Sequence, residues 1–336
     1  MIFLKSSALN DDIFGKSQYP IKKFLMESEE AEANAHKVID MIFDVMPVDD
    51  FATKFSGLTS RGNFEDVGEN GTYPETEEQV GYTKVIEDTT WKSSFKVSEE
   101  MIDDAKMYDV RKKASKFTRS FQRTRNQYGA AILNNGASTT MSFQSKTYNI
   151  ACNDTLALFS TAHTSITGGA STQSNYFNAG FSYDNLCRVE ELMNKFVGDN
   201  GEFLDIQPDT IIVPNNSRIL KLIEDALNTS NGGRPGTADN SGNYQLGRWN
   251  IIKWNYLTNP STITSGYDVF YVMDSRYNKV DSTTLAWCDR KPLTVKSYID
   301  EATDANIWAG RARFAAAPVD WRGIAMCAAG LGSSIA

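Results

Sequence analysis

A chain of 336 residues is too long for one ordinary core and implies two or three packed units. Its composition, 41% hydrophobic and 23% charged with 18 Phe, 14 Tyr and 6 Trp, excludes disorder of the whole chain. A formal net charge of -8 excludes a protein whose main work is gripping nucleic acid, because that affinity comes from Lys and Arg neutralising phosphates, so any such contact is expected to be local and non-specific.

The N-terminal "MIFLKSSALNDDIFGK" has a short apolar run and early acids, too little for a signal-peptide core. No window approaches the roughly 18 apolar residues that span a bilayer, so the expectation is folding in the cytoplasm without membrane contact. From Ser28, "SEEAEANAHKVIDMIFDV" predicts a short amphipathic helix with a serine cap, apolar Ala35, Val38, Ile39, Ile42 and Met46, and an outward His36. Residues 65–78 then carry six acids (Glu65, Asp66, Glu69, Glu75, Glu77, Glu78) and no base, broken by Gly68, Gly71 and Pro74. They resemble the tip of a long two-stranded excursion whose strands alternate Tyr82, Lys84, Ile86 and Trp91, Phe95, Val97. A lone hairpin of this kind has no face to bury on its own and is expected to lie on something else.

At Ser98 the period changes. A helix is predicted to 134, capped by that serine, with Val110, Ala114, Phe117, Phe121, Tyr128, Ala131 and Ile132 on one face and a stop at Asn134-Asn135-Gly136. Eight bases crowd it: Lys106, Arg111, Lys112, Lys113, Lys116, Arg119, Arg123 and Arg125. A solvated or ion-paired face is the plainer reading, and a surface facing packaged polyanion the sharper one. Residues 136–183 predict little regular structure. A second helix follows with Asp184 as cap and Leu186, Val189, Leu192, Met193 and Phe196 inward. "TIIVP" then reads as a buried strand, followed by a helix with Ile219, Leu220, Ile223 and Leu227 inward, which is α/β grammar. Residues 228–243 read as a mobile loop. Strand-like runs ("WNIIKWNYL", "YDVFYVMD", "TTLAWC", "LTVKSYI") lead to a last section that alternates Ala312 and Phe314 against Arg311 and Arg313, with Trp308 and Trp321 packed.

No catalytic set emerges. Ser160, Thr161 and His163 share one loop, but no G-x-S-x-G nucleophile turn or oxyanion hole accompanies them, and a loop histidine bonded to backbone is expected. The two histidines lie too far apart for an H-x-x-x-H pair, and Asp11-Asp12, Asp49-Asp50 and Asp103-Asp104 lack calcium-loop spacing, so no metal is expected. "GGRPGT" at 232–237 lacks the phosphate-binding lysine and a preceding strand. Cys152, Cys187, Cys288 and Cys327 form no C-x-x-C and read as reduced, mostly buried thiols. The N-x-S/T matches at Asn153, Asn215 and Asn228 are then chance. An acidic hairpin, a basic helix, an α/β unit and a return of strands, with no site and no cofactor, fit a lattice former whose projections are completed by neighbours.

In this order the elements resemble the major capsid proteins of tailed bacteriophages. "YTKVIEDTTWKSSFKVSEEMIDDAKMYDV" resembles the exit of that family's extended loop into its spine helix, and "YGAAILNNG" the end of that helix. "ALFSTAHTSITGGASTQSN" is similar to a segment of Mu-like head subunits that carries no catalysis, and "VKSYIDEATDANIWAGRARFAAAPVDWRGIAMC" to the C-terminal strand return. The resemblance implies an α+β, HK97-like capsid fold: an N-terminal arm (1–50), an extended β-hairpin loop (51–97), a peripheral domain with the long spine helix (98–204), an α/β axial domain (205–294) and a strand return (295–336). It further implies self-assembly into pentamers and hexamers of an icosahedral head around double-stranded DNA, in the virion, after assembly in the host cytoplasm. Implied partners are a separate scaffolding protein, a portal and a decoration protein. Lys84 and Lys92 flank the loop, yet nothing identifies a cross-link acceptor. An encapsulin-like compartment and a hydrolase using His163 are the alternatives.

Overall fold

The computed structural model describes residues 2–3, 14–35, 37–58, 66–69, 71–73, 80–98, 100–101, 107–228, 243–258, 269–303 and 305–335. His36, Lys106, Asp11, Asp12, Asp103, Asp104 and the "GGRPGT" segment lie outside them. No helix among the described residues is long and apolar enough to cross a membrane.

Two sheets organise the chain. The first has five strands in the order β1 (Ile2–Phe3), β12 (Leu285–Asp300), β13 (Ala305–Pro318), β5 (Thr89–Ser98), with β2 (Asp44–Pro47) also paired to β12. β12 and β13 form a long antiparallel hairpin, Leu285 opposite Pro318 and Asp300 opposite Ala305. The two sequence runs "TTLAWC" and "LTVKSYI" are thus one strand, whose register shifts between Asp289 and Thr294 absorb Pro292, a residue without an N–H to give the ladder. β5 continues the sheet with Trp91 opposite Ala312.

Helix α3 (Met107–Asn134) packs across one face of this sheet, and at 28 residues it is about 42 Å long. Ser98, the expected cap, is the last residue of β5, and Glu100 and Met101 just beyond it are helical; residues 99 and 102–106 lie outside the described residues. The expected inward residues hold, with Val110, Ala114, Phe117, Tyr128 and Ile132 buried. The interface is aromatic. Phe314 stacks on Trp91 at 5.1 Å and on Trp287 at 5.3 Å, and Tyr128 meets all three edge-on, each such pair worth about 0.5–1.5 kcal/mol beyond its buried area. Gly310 lets Phe117 in: a Cβ there would sit 2.3 Å from Phe117 Cζ.

Helix α1 (Phe14–Ala35) lies along α3 and buries Ile21 and Leu25. Ser28 is therefore inside a helix, where its Oγ bonds the Leu25 carbonyl (3.1 Å) and Thr118 Oγ1 (2.9 Å). Ile21 and Leu25, on the same stripe, carry the helix N-terminal to the acids that mimic a start. The rest of the predicted helix becomes α2 (Val38–Ile42), with Ile39 and Ile42 buried, and then β2.

The second sheet has six strands in the order β10 (Asn250–Trp254), β9 (Thr210–Pro214), β11 (Val269–Met273), β14 (Ile324–Ala328), β8 (Tyr176–Asn178), β15 (Ser333–Ser334). β9 and β10 are parallel and enclose α5 (Ser217–Leu227), capped by Asn216. β11 is buried at every position, as a central strand must be. Helix α4 (Tyr183–Asn194) buries Leu186, Val189 and Met193, and its cap is Ser182, whose Oγ accepts from Asn185 N at 3.1 Å; Asp184 sits in the first turn, where its charge favours the helix dipole. Residues 136–183 are mostly loop but hold a hairpin, β6 (Thr140–Phe143) and β7 (Lys146–Asn149). One continuous buried cluster links both sheets.

Candidate assembly interface

The acidic excursion is a two-stranded antiparallel ribbon of β3 (Ala52–Leu58) and β4 (Val80–Glu87), Ala52 opposite Glu87 and Leu58 opposite Val80. Its base is anchored on its own chain. Ile86 packs into a small apolar cluster with Ala286, Cys288, Ala315, Ala317 and Val319, joined by Val48 and Phe55. These β12 and β13 residues lie on the sheet face opposite α3. Lys84 is buried, its Nζ donating to the Ala151 carbonyl at 2.6 Å and to Asn149 Oδ1 at 3.4 Å, and burial lowers its pKa. At the hinge between β4 and β5, Asp88 meets Arg313 at 2.7 Å and Arg290 at 3.3 Å. Residues 89–97, expected within the excursion, instead form the edge of the five-stranded sheet.

The excursion also turns apolar groups to solvent, two near its base (Phe51, Val85) and two towards its tip (Val67, Tyr73). Phe51 is 56% exposed, Val67 41%, Tyr73 95% and Val85 51%. Asp66 and Glu69 are exposed too; Glu65, Glu75, Glu77 and Glu78 lie outside the described residues.

The bases of α3 divide. Arg125 makes a two-pronged contact with Asp289 (3.0 and 2.9 Å) while lying over Trp287 and Phe314. Arg111 approaches Glu27 at 3.8 Å, and Lys113 donates to the Lys96 carbonyl at 2.9 Å. The ion-paired reading holds for Arg125 and Arg111, while Lys113 is held by a carbonyl; Lys112, Lys116, Arg119 and Arg123 are exposed.

His163 is buried, and its ring partners are side chains. Nδ1 lies 2.6 Å from Asp154 Oδ2, Nε2 lies 3.1 Å from Asn175 Oδ1, and the ring stacks on Trp321 at 4.3 Å. The bond to backbone expected from sequence is thus not made by the ring; only the main chain of His163 is bridged, in both directions, to that of Gln173. Asn175 fixes the arrangement. Its Nδ2 donates to the carbonyls of Leu158 (2.8 Å), Trp321 (3.1 Å) and Ile324 (3.0 Å), so Oδ1 must face the ring and Nε2 must carry a proton. Both ring nitrogens are thereby occupied. Ser160 Oγ, the expected neighbour, accepts from Ala162 N. No three His, Cys, Asp or Glu among the described residues are grouped to hold a metal.

The nearest cavity, about 500 Å³, lies between the ribbon and the Asp320–Arg322 turn. Its buried charges are paired with one another: Arg322 bridges Asp199 (3.0 Å) and Asp320 (3.3 Å), and Asp320 accepts from Tyr277 Oη at 3.0 Å. This is a cross-linked junction of loops.

A subunit with an anchored ribbon that exposes apolar groups, a helix laid over a sheet and a separate α/β sheet has the architecture of a shell protein. The family model for phage capsid proteins matches residues 83–327, and the chain belongs to that family. It is a shell-forming major capsid protein of HK97-like fold. Among solved structures it is similar to the capsid of the empty GTA particle, with 14% identity, TM-score 0.50 and coverage of 88% of this chain and 90% of the other. A structure from Gordonia phage Cozz gives 15% identity, TM-score 0.50 and coverage of 88% and 87%. One from Mycobacterium phage Patience gives 12% identity, TM-score 0.51 and coverage of 100% and 92%. No curated protein sequence matches. The family match favours a phage shell over the encapsulin alternative.

Proposed function

We propose that the subunit forms pentamers and hexamers that close an icosahedral head around the double-stranded DNA of a tailed phage or prophage, and that it does no catalysis. The observation that carries this reading is the ribbon, whose anchored base and exposed Phe51, Val67, Tyr73 and Val85 leave an apolar surface that a lone subunit does not cover. Assembly takes place in the host cytoplasm with a separate scaffolding protein, a portal, a decoration protein and only non-specific DNA contact. Residues 1–50 act as the arm, and the five-stranded sheet with α3 as the peripheral unit. The six-stranded sheet is the axial unit; by sheet membership it also takes in β8, β14 and β15, beyond the 205–294 span expected from sequence. Electron microscopy of the purified chain tests the reading: closed shells support it, and monomers at high concentration refute it. Single exposed ion pairs contribute at most about 1 kcal/mol, so electrostatics enter through repetition. Shell yield should fall as salt rises towards about 1 M, and yield indifferent to salt would remove the acidic tip from the contact.

A further inference from the structure

His163 Nε2 carries a proton because Asn175 turns only an oxygen towards it. The other ring nitrogen is constrained as well. Nδ1 stands 2.6 Å from Asp154 Oδ2, where a bare nitrogen and a carboxylate oxygen would set two lone pairs against each other, so a proton lies there too. Ring and carboxylate together hold one proton more than a neutral imidazole and a carboxylate hold apart. Both side chains are shut off from solvent, and the ring lies flat on Trp321, a face that attracts a cation. The charges around the pair agree. Asp199 and Asp320 flank Arg322 on the turn beside the ring, and Lys84 reaches in from the ribbon. With Asp154 that makes three acids against two bases, and a charged His163 makes the numbers equal. Cys152 and Tyr277 beside them stay neutral, because burial raises the pKa of both.

We infer that this extra proton is a latch for the ribbon's seat. The loop that carries Asp154 also holds the ribbon: its Ala151 carbonyl takes Lys84 Nζ, and Asn153 and Asp154 border the same cavity as Gly57, Gly81 and Tyr82 of the ribbon. When the pair gives up the extra proton, one of two contacts fails. Either Nδ1 faces Asp154 bare, or Nε2 faces Asn175 Oδ1 bare, and Asn175 cannot turn its amide without abandoning the carbonyls of Leu158, Trp321 and Ile324. Each failure loosens the loops on which the ribbon rests. A folded state that binds more protons than the unfolded chain loses stability as pH rises. The ribbon is therefore held at acid and neutral pH and loosened towards alkaline pH. The latch is complete in a single subunit and does not depend on the shell-forming reading.

Two measurements test this. His36→Gln leaves one histidine in the chain, and nitrogen NMR of the folded, histidine-labelled variant at about pH 7.5, above the ordinary histidine range, should show protons on both ring nitrogens. A ring with a single proton overturns the inference. The second measurement reads the ribbon: amide hydrogen exchange of residues 80–87, corrected for the intrinsic effect of pH, should quicken at least about threefold in the wild type between about pH 6 and about pH 8.5. Asp154→Asn offers an amide that donates to Nδ1 of a neutral ring, keeps the Nε2 proton on Asn175 and needs no extra proton. It should leave the ribbon protected and its corrected exchange indifferent to pH over that range, which a merely structural role for Asp154 would not produce. Unchanged exchange in the wild type, or the wild-type pH response in folded Asp154→Asn, overturns the latch. If Asp154→Asn does not fold, the ring spectrum and the wild-type exchange decide between them.

Discussion

Asn175→Leu keeps the volume of the side chain and deletes only its polar atoms, which makes it the sharpest probe of the loop junction around His163. Asn175 is fully buried and makes five side-chain hydrogen bonds: three given to the carbonyls of Leu158, Trp321 and Ile324, and two accepted from Ser160 N and His163 Nε2. The substitution orphans two donors, each costing about 1–3 kcal/mol, and removes three further bonds of about 0.5–1 kcal/mol each, so a loss near 5 kcal/mol is expected. With a urea slope of about 3 kcal/mol per M, the unfolding midpoint of the subunit should fall by about 1.5 M. Tryptophan fluorescence is a direct readout, because Trp321 stacks on the imidazole that Asn175 holds. Asn175→Asp should be nearly as damaging, since a carboxylate then faces the three carbonyls. A loss below about 1 kcal/mol for Asn175→Leu would refute the claim that this residue organises the junction.

Arg125→Met strands Asp289 between Trp287 and the helix and should cost roughly 3 kcal/mol by thermal or chemical unfolding, with part of that loss recovered in Arg125→Met/Asp289→Asn. Gly310→Ala forces Phe117 aside and should cost about 1–3 kcal/mol, with Phe117→Leu restoring part of it in the double variant; an unchanged melting temperature would show that the helix is not seated there. Thiol labelling at pH 8 should modify Cys187 first: burial raises the thiol of Cys152 well above its ordinary value, that of Cys288 to about 11, and that of Cys327 as well. Their pKa values, with those of the buried Tyr128 and Tyr271, are higher folded than unfolded. Their contribution to stability is therefore complete below about pH 8.5 and is lost as pH rises and the unfolded chain sheds protons first, which an alkaline unfolding series would show.

Helical periodicity carried much of the fold. Leu186, Val189 and Met193, or Ile219, Ile223 and Leu227, mark an inward stripe within one short window, and the structure buries each of them. The alternation of Trp91, Phe95 and Val97 likewise marks a strand, but alternation is silent about the partner, and here the partner β13 lies more than two hundred residues on. The β6–β7 hairpin escaped because Gln144 and Ser145 turn it, with φ of 48° and 63°, where Asn-Gly would have announced it. His163 was conspicuous in sequence, but Asp154, Asn175 and Trp321, which decide its state, are not adjacent to it.

Strands late in the chain sit in the middle of both sheets: β12 and β13 join β1, β2 and β5, and β14 separates β11 from β8. During synthesis, therefore, the five-stranded sheet cannot close until the ribosome has passed about residue 318, nor the six-stranded one until about residue 328. A chain that stops before about residue 285 lacks the β12 and β13 residues on which Ile86 and Phe55 anchor the ribbon. Such a product has no anchored ribbon to offer a neighbour.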